Sequence, residues 1–231
     1  MNVKLIAHTK PVNELVSDEE LVAYVARVSN PENQNTMQNS TKLLKYLADH
    51  KHWSPFEMVN VLMEIETTRD IARQILRHRS FSFQEFSQRY ADPTQDLGFE
   101  LRDARLQDKK NRQNSIDLPD NIVLDPKTLM NSGWLKDQWK IKQDHVRWAA
   151  QEAYEWAIEH NIAKEQARAV LPEGLTVSRM YMNGTLRSWI HYCQLRCANG
   201  TQKEHREIAV ACWKQICYIY PVLETLIDME M

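Results

Sequence analysis

Residues 59–66 read Val-Asn-Val-Leu-Met-Glu-Ile-Glu. Val59, Val61, Met63 and Ile65 alternate with Asn60, Leu62, Glu64 and Glu66, a period of two that only an extended chain can bury on one side. The spacing predicts a strand with one face in a core. Directly after it, Thr68 caps a predicted helix that carries Ile71, Ala72, Ile75 and Leu76. Gln74 precedes Arg77 by three residues and His78 by four, so all three are expected on one helical face, with Arg77 and Arg79 delivered to its end. A loop or extended segment should follow.

The flanking chain has other local signals. Residues 3–7 form a plausible short strand. Ser17 with Glu20 is a capping box, and the helix it opens runs through Val22, Val25 and Val28 until Asn30-Pro31 stops it. A second helix is expected over 41–50, with Leu43, Leu44 and Leu47 on one face. Residues 52–57 read as a turn. Residues 92–134 are polar and rich in turn residues, and read as a mobile insertion or lid. A long helix is expected over 135–160, with Trp139, Val146, Ala149, Ala150, Ala153 and Trp156 near one face. Residues 162–170 read as helix, 175–182 as strand, and 186–196 and 202–219 as helices. Strands and helices do not alternate regularly, which makes the chain α+β with helices in the majority.

Between the first clear strand and the insertion lies the chemistry-bearing stretch. Residues 77–90 interleave Arg77, His78, Arg79 and Arg89 with Glu85, Ser82, Ser87, Phe81, Phe83 and Phe86. A solvated charge run has no use for the aromatics, and a core strand would not tolerate the charges. The mixture suits a pocket for an anionic, planar ligand: arginine forks grip phosphate and aromatic walls exclude water.

Composition narrows the function classes. The 231 residues are 43% hydrophobic, enough for a substantial core, and the net charge of −2 argues against a general nucleic-acid binder. No apolar run is long enough to span a bilayer. The N-terminus has no long apolar core, so a cytoplasmic location is expected. Cys193, Cys197, Cys212 and Cys217 have spacings that match no common zinc pattern, and no metal site is expected. They read as reduced, packed thiols, and none sits in a recognisable nucleophile motif.

The order Arg77, His78, Arg79, Ser82, Glu85, Ser87, Arg89 resembles the signature R-H-R-x-x-S-x-N-E-x-S-x-R of the flavin-dependent thymidylate synthases. Gln84 stands where that signature has Asn. Four further segments resemble the family in the same order: 26–29 (A-R-V-S), 52–57 (H-x-S-P-F-E), 167–172 (A-R-x-x-L-P) and 185–196, the last helix with Arg187, His191 and Arg196. Gly200 falls where many relatives carry a histidine near the flavin. The resemblance implies a helix-rich single domain, 1–231, with a small, mostly antiparallel sheet. It also implies reductive methylation of dUMP to dTMP without a cysteine nucleophile. The carbon donor would be 5,10-methylenetetrahydrofolate, and NADPH would reduce the FAD. A homotetramer with shared active sites is implied, in which Arg168 reaches a neighbouring subunit.

Site residues follow from the same resemblance. FAD is expected at Ser29, Ser54, Glu57, Arg77, His78, Arg79, Gln84, Glu85, Arg187 and His191. The dUMP is expected at Gln74, Arg77, Glu85, Phe86, Ser87, Gln88, Arg89, Arg168 and Arg196. Arg196 is expected to polarise the uracil, and His52 to lie near the flavin and folate side; these two are the implied catalytic residues. The residues alone leave two competitors. One is a catalytically inactive flavin or nucleotide binder of the same fold. The other is a single-stranded nucleic-acid binder that stacks bases on Phe81, Phe83 and Phe86.

Overall fold

The structure is a computed structural model that describes residues 1–12, 16–34, 39–125, 127–128 and 130–229, the side chain of Pro31 excepted. In chain order the elements are β1 (Asn2–His8), α1 (Asp18–Ala26), α2 (Pro31–Gln34), α3 (Ser40–Asp49), β2 (Asn60–Thr68), α4 (Arg69–Ile75), β3 (Ser82–Glu85), α5 (Pro93–Asp96), β4 (Arg105–Gln107), β5 (Ser115–Asp117), β6 (Val123–Asp125), β7 (Met130–Asn131), α6 (Ser132–Glu159), α7 (Lys164–Ala167), β8 (Val177–Thr185), α8 (Leu186–Cys197), α9 (Lys203–Ile219) and α10 (Val222–Leu226). Helices predominate, and the main sheet is small and antiparallel, with strand order β1-β2-β8-β3. The fold is therefore α+β. Among the described residues no helix is long and apolar enough to cross a membrane.

The chain divides into two compact units. The first comprises Met1–Ile65, Leu76–Gln84 and Met180–Met231. Its core follows the alternation in the sequence: Val59, Val61, Met63 and Ile65 are all fully buried. Met180 and Met182 of β8 are buried too, as are Trp189 and Ile190 of α8 and Ile208, Cys212 and Ile216 of α9. The Trp189 indole N–H is not stranded there, because it donates to the Val61 carbonyl at 3.0 Å. Phe81 packs its edge on Trp189 at 4.9 Å, and Gly184 makes room, since a Cβ there would lie 2.4 Å from the Phe81 ring. Phe81 is thus core and offers no platform for a stacked base. Ser17 and Glu20 form the expected capping box. Thr185 caps α8 by accepting from the Ser188 N–H. Glu19 accepts from the Val222 N–H at 2.6 Å and ties α10 to α1.

Two boundaries differ from expectation. α1 stops at Ala26 rather than running through Val28, and the chain tightens into a 3-10 turn over Arg27–Ser29. The cause is local: Asn30 precedes Pro31 and cannot be helical, and Pro31 then opens α2. α4 ends at Ile75, so Arg77 and His78 lie in the turn beyond it and share no helical face with Gln74. The chain has only six residues after α4 in which to bury Phe81 and enter β3.

The second unit comprises Glu66–Ile75 and Glu85–Arg179. The stretch read as a lid contains α5 and two hairpins, β4 with β5 and β6 with β7; Pro126 and Leu129 within it lie outside the described residues. Its Arg102 is gripped twice. Gln143 of α6 accepts from the Arg102 N–H at 2.7 Å and donates to its carbonyl at 2.9 Å. The guanidinium donates to Thr68 and, at 2.7 Å, to Asp70.

α6 starts at Ser132, capped by Asn131, three residues before the expected start. Its buried stripe is Gln143, Ala150, Tyr154 and Ala157, at helical spacing. Trp139, Val146 and Trp156, expected near one apolar face, are exposed instead, as are Trp134 and Trp148. Tyr154 and Ala157 pack on Ala167 and Leu171. The helix expected over 162–170 splits into α7 and a 3-10 turn over Arg168–Val170, because Leu171 must be extended before Pro172.

Candidate active site

In the first unit the implied flavin residues come from the 3-10 turn Ser54–Glu57, the turn after α4, and α8. Arg187 donates through Nη1 to Glu57 Oε1, so α8 is tied to the turn. Trp53 stands perpendicular to His191 at 5.0 Å. Loss of water around the ring, then the Arg187 charge, holds His191 below the ordinary histidine value. Arg77 and Arg79 are exposed. Gln84 is exposed on β3. His52 is exposed too, with its ring 6.0 Å from Tyr46. Ser29 lies in a pocket of roughly 600 Å³ whose lining includes Arg27, Asn30, Asn33, Asn39 and Lys42. Gly200 has φ of 112°, a region where a histidine would be strained, so the departure at this position suits the local backbone.

Another link in this unit joins the first signature element to α8. Arg196 donates through Nε to His78 Nε2 at 3.0 Å. A guanidinium can only donate, so His78 Nε2 must be the bare nitrogen of a neutral ring. The electrostatics agree: burial first, then the Arg196 charge, lowers His78 to about 4. Behind it His205, fully buried, is lowered to about 3 by burial and then by Arg196 and His78.

This neutrality has a consequence for acid stability. Both rings start from an ordinary value of 6.5. The unfolded chain therefore binds more protons than the folded one from about pH 6.5 down to about 3–4, and stability falls as pH drops through that window. Above 6.5 the contribution is fully present. Urea midpoints of the parent chain are expected to fall more steeply below pH 6.5 than those of His205→Leu. Parallel curves for the two proteins would refute the buried neutral state of His205.

In the second unit the implied dUMP residues lie on α4, at the end of β3, in the turn after it and at Arg168, while Arg77 and Arg196 belong to the first unit. Glu85 is the hub. Its Oε1 accepts from Ser178 Oγ at 2.9 Å and lies 3.9 Å from Arg69, while Oε2 lies 3.3 Å from Arg73. Glu173 closes the network, 3.2 Å from Arg69 and 3.7 Å from Arg73. Phe86 donates its N–H to the Arg179 carbonyl. The Ser87 Oγ accepts from the Arg89 N–H at 3.4 Å. Arg89 meets Glu165 at 3.3 Å, and Arg168 donates to the Glu165 carbonyl, so both implied phosphate arginines converge on one residue. Gln88 is buried, with no partner for its amide nitrogen among the described residues. Gln74 is half-buried on the last turn of α4.

The sequence reading missed Arg69, Arg73, Glu173 and Ser178, and also Tyr192 and His205. Arg69 and Arg73 had a visible signal, since i, i+4 spacing places them on one side of α4. Glu173, 104 residues from Arg69, had none.

Known proteins resemble this chain over nearly its whole length. The family model described as Thymidylate synthase complementing protein matches residues 4–222. The chain is 47% identical over 229 residues to a probable flavin-dependent thymidylate synthase of Paramecium bursaria Chlorella virus 1, covering 99% of each. It is 46% identical over 233 residues to the flavin-dependent thymidylate synthase of Synechocystis sp. (strain ATCC 27184 / PCC 6803 / Kazusa), covering 99% of this chain and 100% of the relative. The crystal structure of the UMP/dUMP methylase PolB from Streptomyces cacaoi bound with 5-Br dUMP shares the fold, with a TM-score of 0.73 at 24% identity, covering 100% of this chain and 97% of that one. With the signature from Arg77 to Arg89 and matches over nearly its whole length, the chain belongs to the Thymidylate synthase complementing protein family, that of the flavin-dependent thymidylate synthases.

Proposed function

We propose that this chain methylates dUMP to dTMP as a single catalytic domain, 1–231, taking one carbon from 5,10-methylenetetrahydrofolate and releasing tetrahydrofolate. The observation that carries the reading is half-buried Arg196, held at Nε by neutral His78 in a contact that does not use its two Nη groups. Relatives of 46–47% identity that bear the activity in their names support it.

The residues present fit FAD. Exposed Arg77 and Arg79, and Ser29 beside Arg27 and Lys42, are donors of the kind a pyrophosphate needs. Ser54, His78, Gln84 and Glu85 would add hydrogen bonds, and Glu57, Arg187 and His191 would form a braced wall. Bound FAD would supply the hydride equivalent of the reaction, with NADPH as its reductant. Arg196 holds its charge at any working pH and would stabilise the negative charge that builds on the uracil carbonyl and ring nitrogen. Gln74, Arg77, Phe86, Ser87, Gln88, Arg89 and Arg168 would bind the nucleotide, and His52 would serve the folate side. The exposed tryptophans of α6 support a homotetramer with shared sites. A cytoplasmic location is part of the same proposal.

The test is dTMP formation by purified protein with FAD, NADPH, methylenetetrahydrofolate and dUMP, each omitted in turn. Product that requires all four is expected. Yellow protein that makes no dTMP would overturn the catalytic reading. Arg89→Ala is expected to weaken dUMP binding about 10- to 100-fold, the loss of one charge-assisted contact. Calorimetric titration with dUMP checks this, and unchanged affinity would remove Arg89 from the phosphate site.

A further inference from the structure

Arg196 does not stand alone behind its contact with His78. The His78 ring meets the Tyr192 ring edge to face, with centroids 4.8 Å apart at 87°. His205 lies 6.3 Å from His78 at 84°. Its Nε2 is 3.1 Å from Tyr192 Oη. Tyr192 and His205 are both buried, on α8 and α9, and Tyr192 is braced in turn by Trp189 at 5.9 Å. A phenylalanine and a leucine would fill this space without the cost of drying two polar groups. The polar pair sits directly behind the one ring that accepts from Arg196.

We propose that Tyr192 and His205 are positioning residues for Arg196: their hydrogen-bonded pair locks the plane of His78, and His78 locks the guanidinium. This rests on the assignment of Arg196 to the uracil. An arginine side chain has several rotatable bonds and spreads over many rotamers unless held. The Nε contact removes most of that freedom only while His78 keeps Nε2 aimed at it. A tilted His78 ring would leave the charge in place but not its direction, and direction is what a charge-stabilising fork must have.

The experiment uses the full chain in three test variants, with Arg196→Lys as a fourth for assignment. His205→Leu keeps the volume and leaves Tyr192 Oη without its partner. Tyr192→Phe keeps the ring against His78 and removes only the hydroxyl. His205→Gln restores a hydrogen-bonding group. The readouts are solvent exchange of the Arg196 Nε–H, followed by ¹⁵N–¹H correlation spectra and assigned by its loss in Arg196→Lys, and the kcat and KM for dUMP. For His205→Leu the Nε–H is expected to exchange about tenfold faster and kcat to fall about tenfold, with FAD content and KM little changed. Tyr192→Phe should move both readouts the same way, and His205→Gln should recover them. Unchanged Nε–H exchange in both His205→Leu and Tyr192→Phe overturns the proposal, whatever happens to turnover. If the parent chain makes no dTMP, the exchange readout still decides the positioning role, so the two failures are told apart.

Discussion

Arg196→Ala is expected to lower dTMP formation about 10²- to 10³-fold while most of the FAD stays bound. The magnitude is that of removing one preorganised donor from a site where charge develops. No thiol is available to take over the activation of uracil. Cys193, Cys197 and Cys212 are buried. Burial pushes Cys197 and half-buried Cys217 up to about 11 and raises Cys193 and Cys212 as well, so none of the four is a thiolate at neutral pH. Arg196→Lys should recover little, since an ammonium keeps the charge but has neither the planar fork nor the Nε–H that His78 accepts. A second readout does not depend on turnover. Removing the guanidinium removes the charge that disfavours protonated His78, so the His78 value should rise from about 4 in the variant, yet stay below 6.5 because burial is the larger cause. Near-normal turnover, or a His78 titration that does not move upward, would sink the assigned role.

Glu85→Ala is expected to destabilise the chain by about 3 kcal/mol, near the lower end for breaking an ion pair that leaves a buried arginine behind. The lower end applies because Glu173 still faces Arg69 after the change. For a chain of this size that is a fall of roughly 6–12 °C in Tm. The loss comes from Arg69, whose side chain is only 8% exposed, and from Ser178, which would lose its acceptor. Arg73 is half exposed and adds little. Glu85→Gln should fall between the two, because the amide oxygen can still accept from Ser178 but carries no charge toward the arginines. Thermal unfolding with and without dUMP checks this. A Glu85→Ala protein as stable as its parent would show that the network contributes nothing to the fold.

Glu85 also shows where reading the chain stops. Its place in the signature is visible in residues 77–89, and so is the residue type that ligand binding needs. That its carboxylate is held by Arg69, Arg73 and Ser178 is not visible, since Ser178 lies 93 residues away. The same division runs through the fold. The alternation of Val59, Val61, Met63 and Ile65 announced β2 and its buried face, because a period of two is a property of the strand itself. Ser17 with Glu20 announced α1, because a cap is a contact across one turn. The end of α1 and the break at Arg168–Val170 were harder, since each reflects how a proline bends the chain just before it.

α6 went the other way. Its tryptophans suggested an apolar face, yet Gln143, Ala150, Tyr154 and Ala157 are the residues that are buried. Which side of a helix is covered depends on what packs against it, and here Arg102 takes Gln143 inward by bonding both ends of its amide. The column from His205 through Tyr192 to His78 and Arg196 is of the same kind. Sequence by itself determined the family signature, the residue types of the site, and the local elements that carry them, because these rest on short-range spacing. The tertiary structure alone decided which charges are paired, which imidazoles are neutral and which aromatics are left in water, because each of those depends on partners brought together from far along the chain.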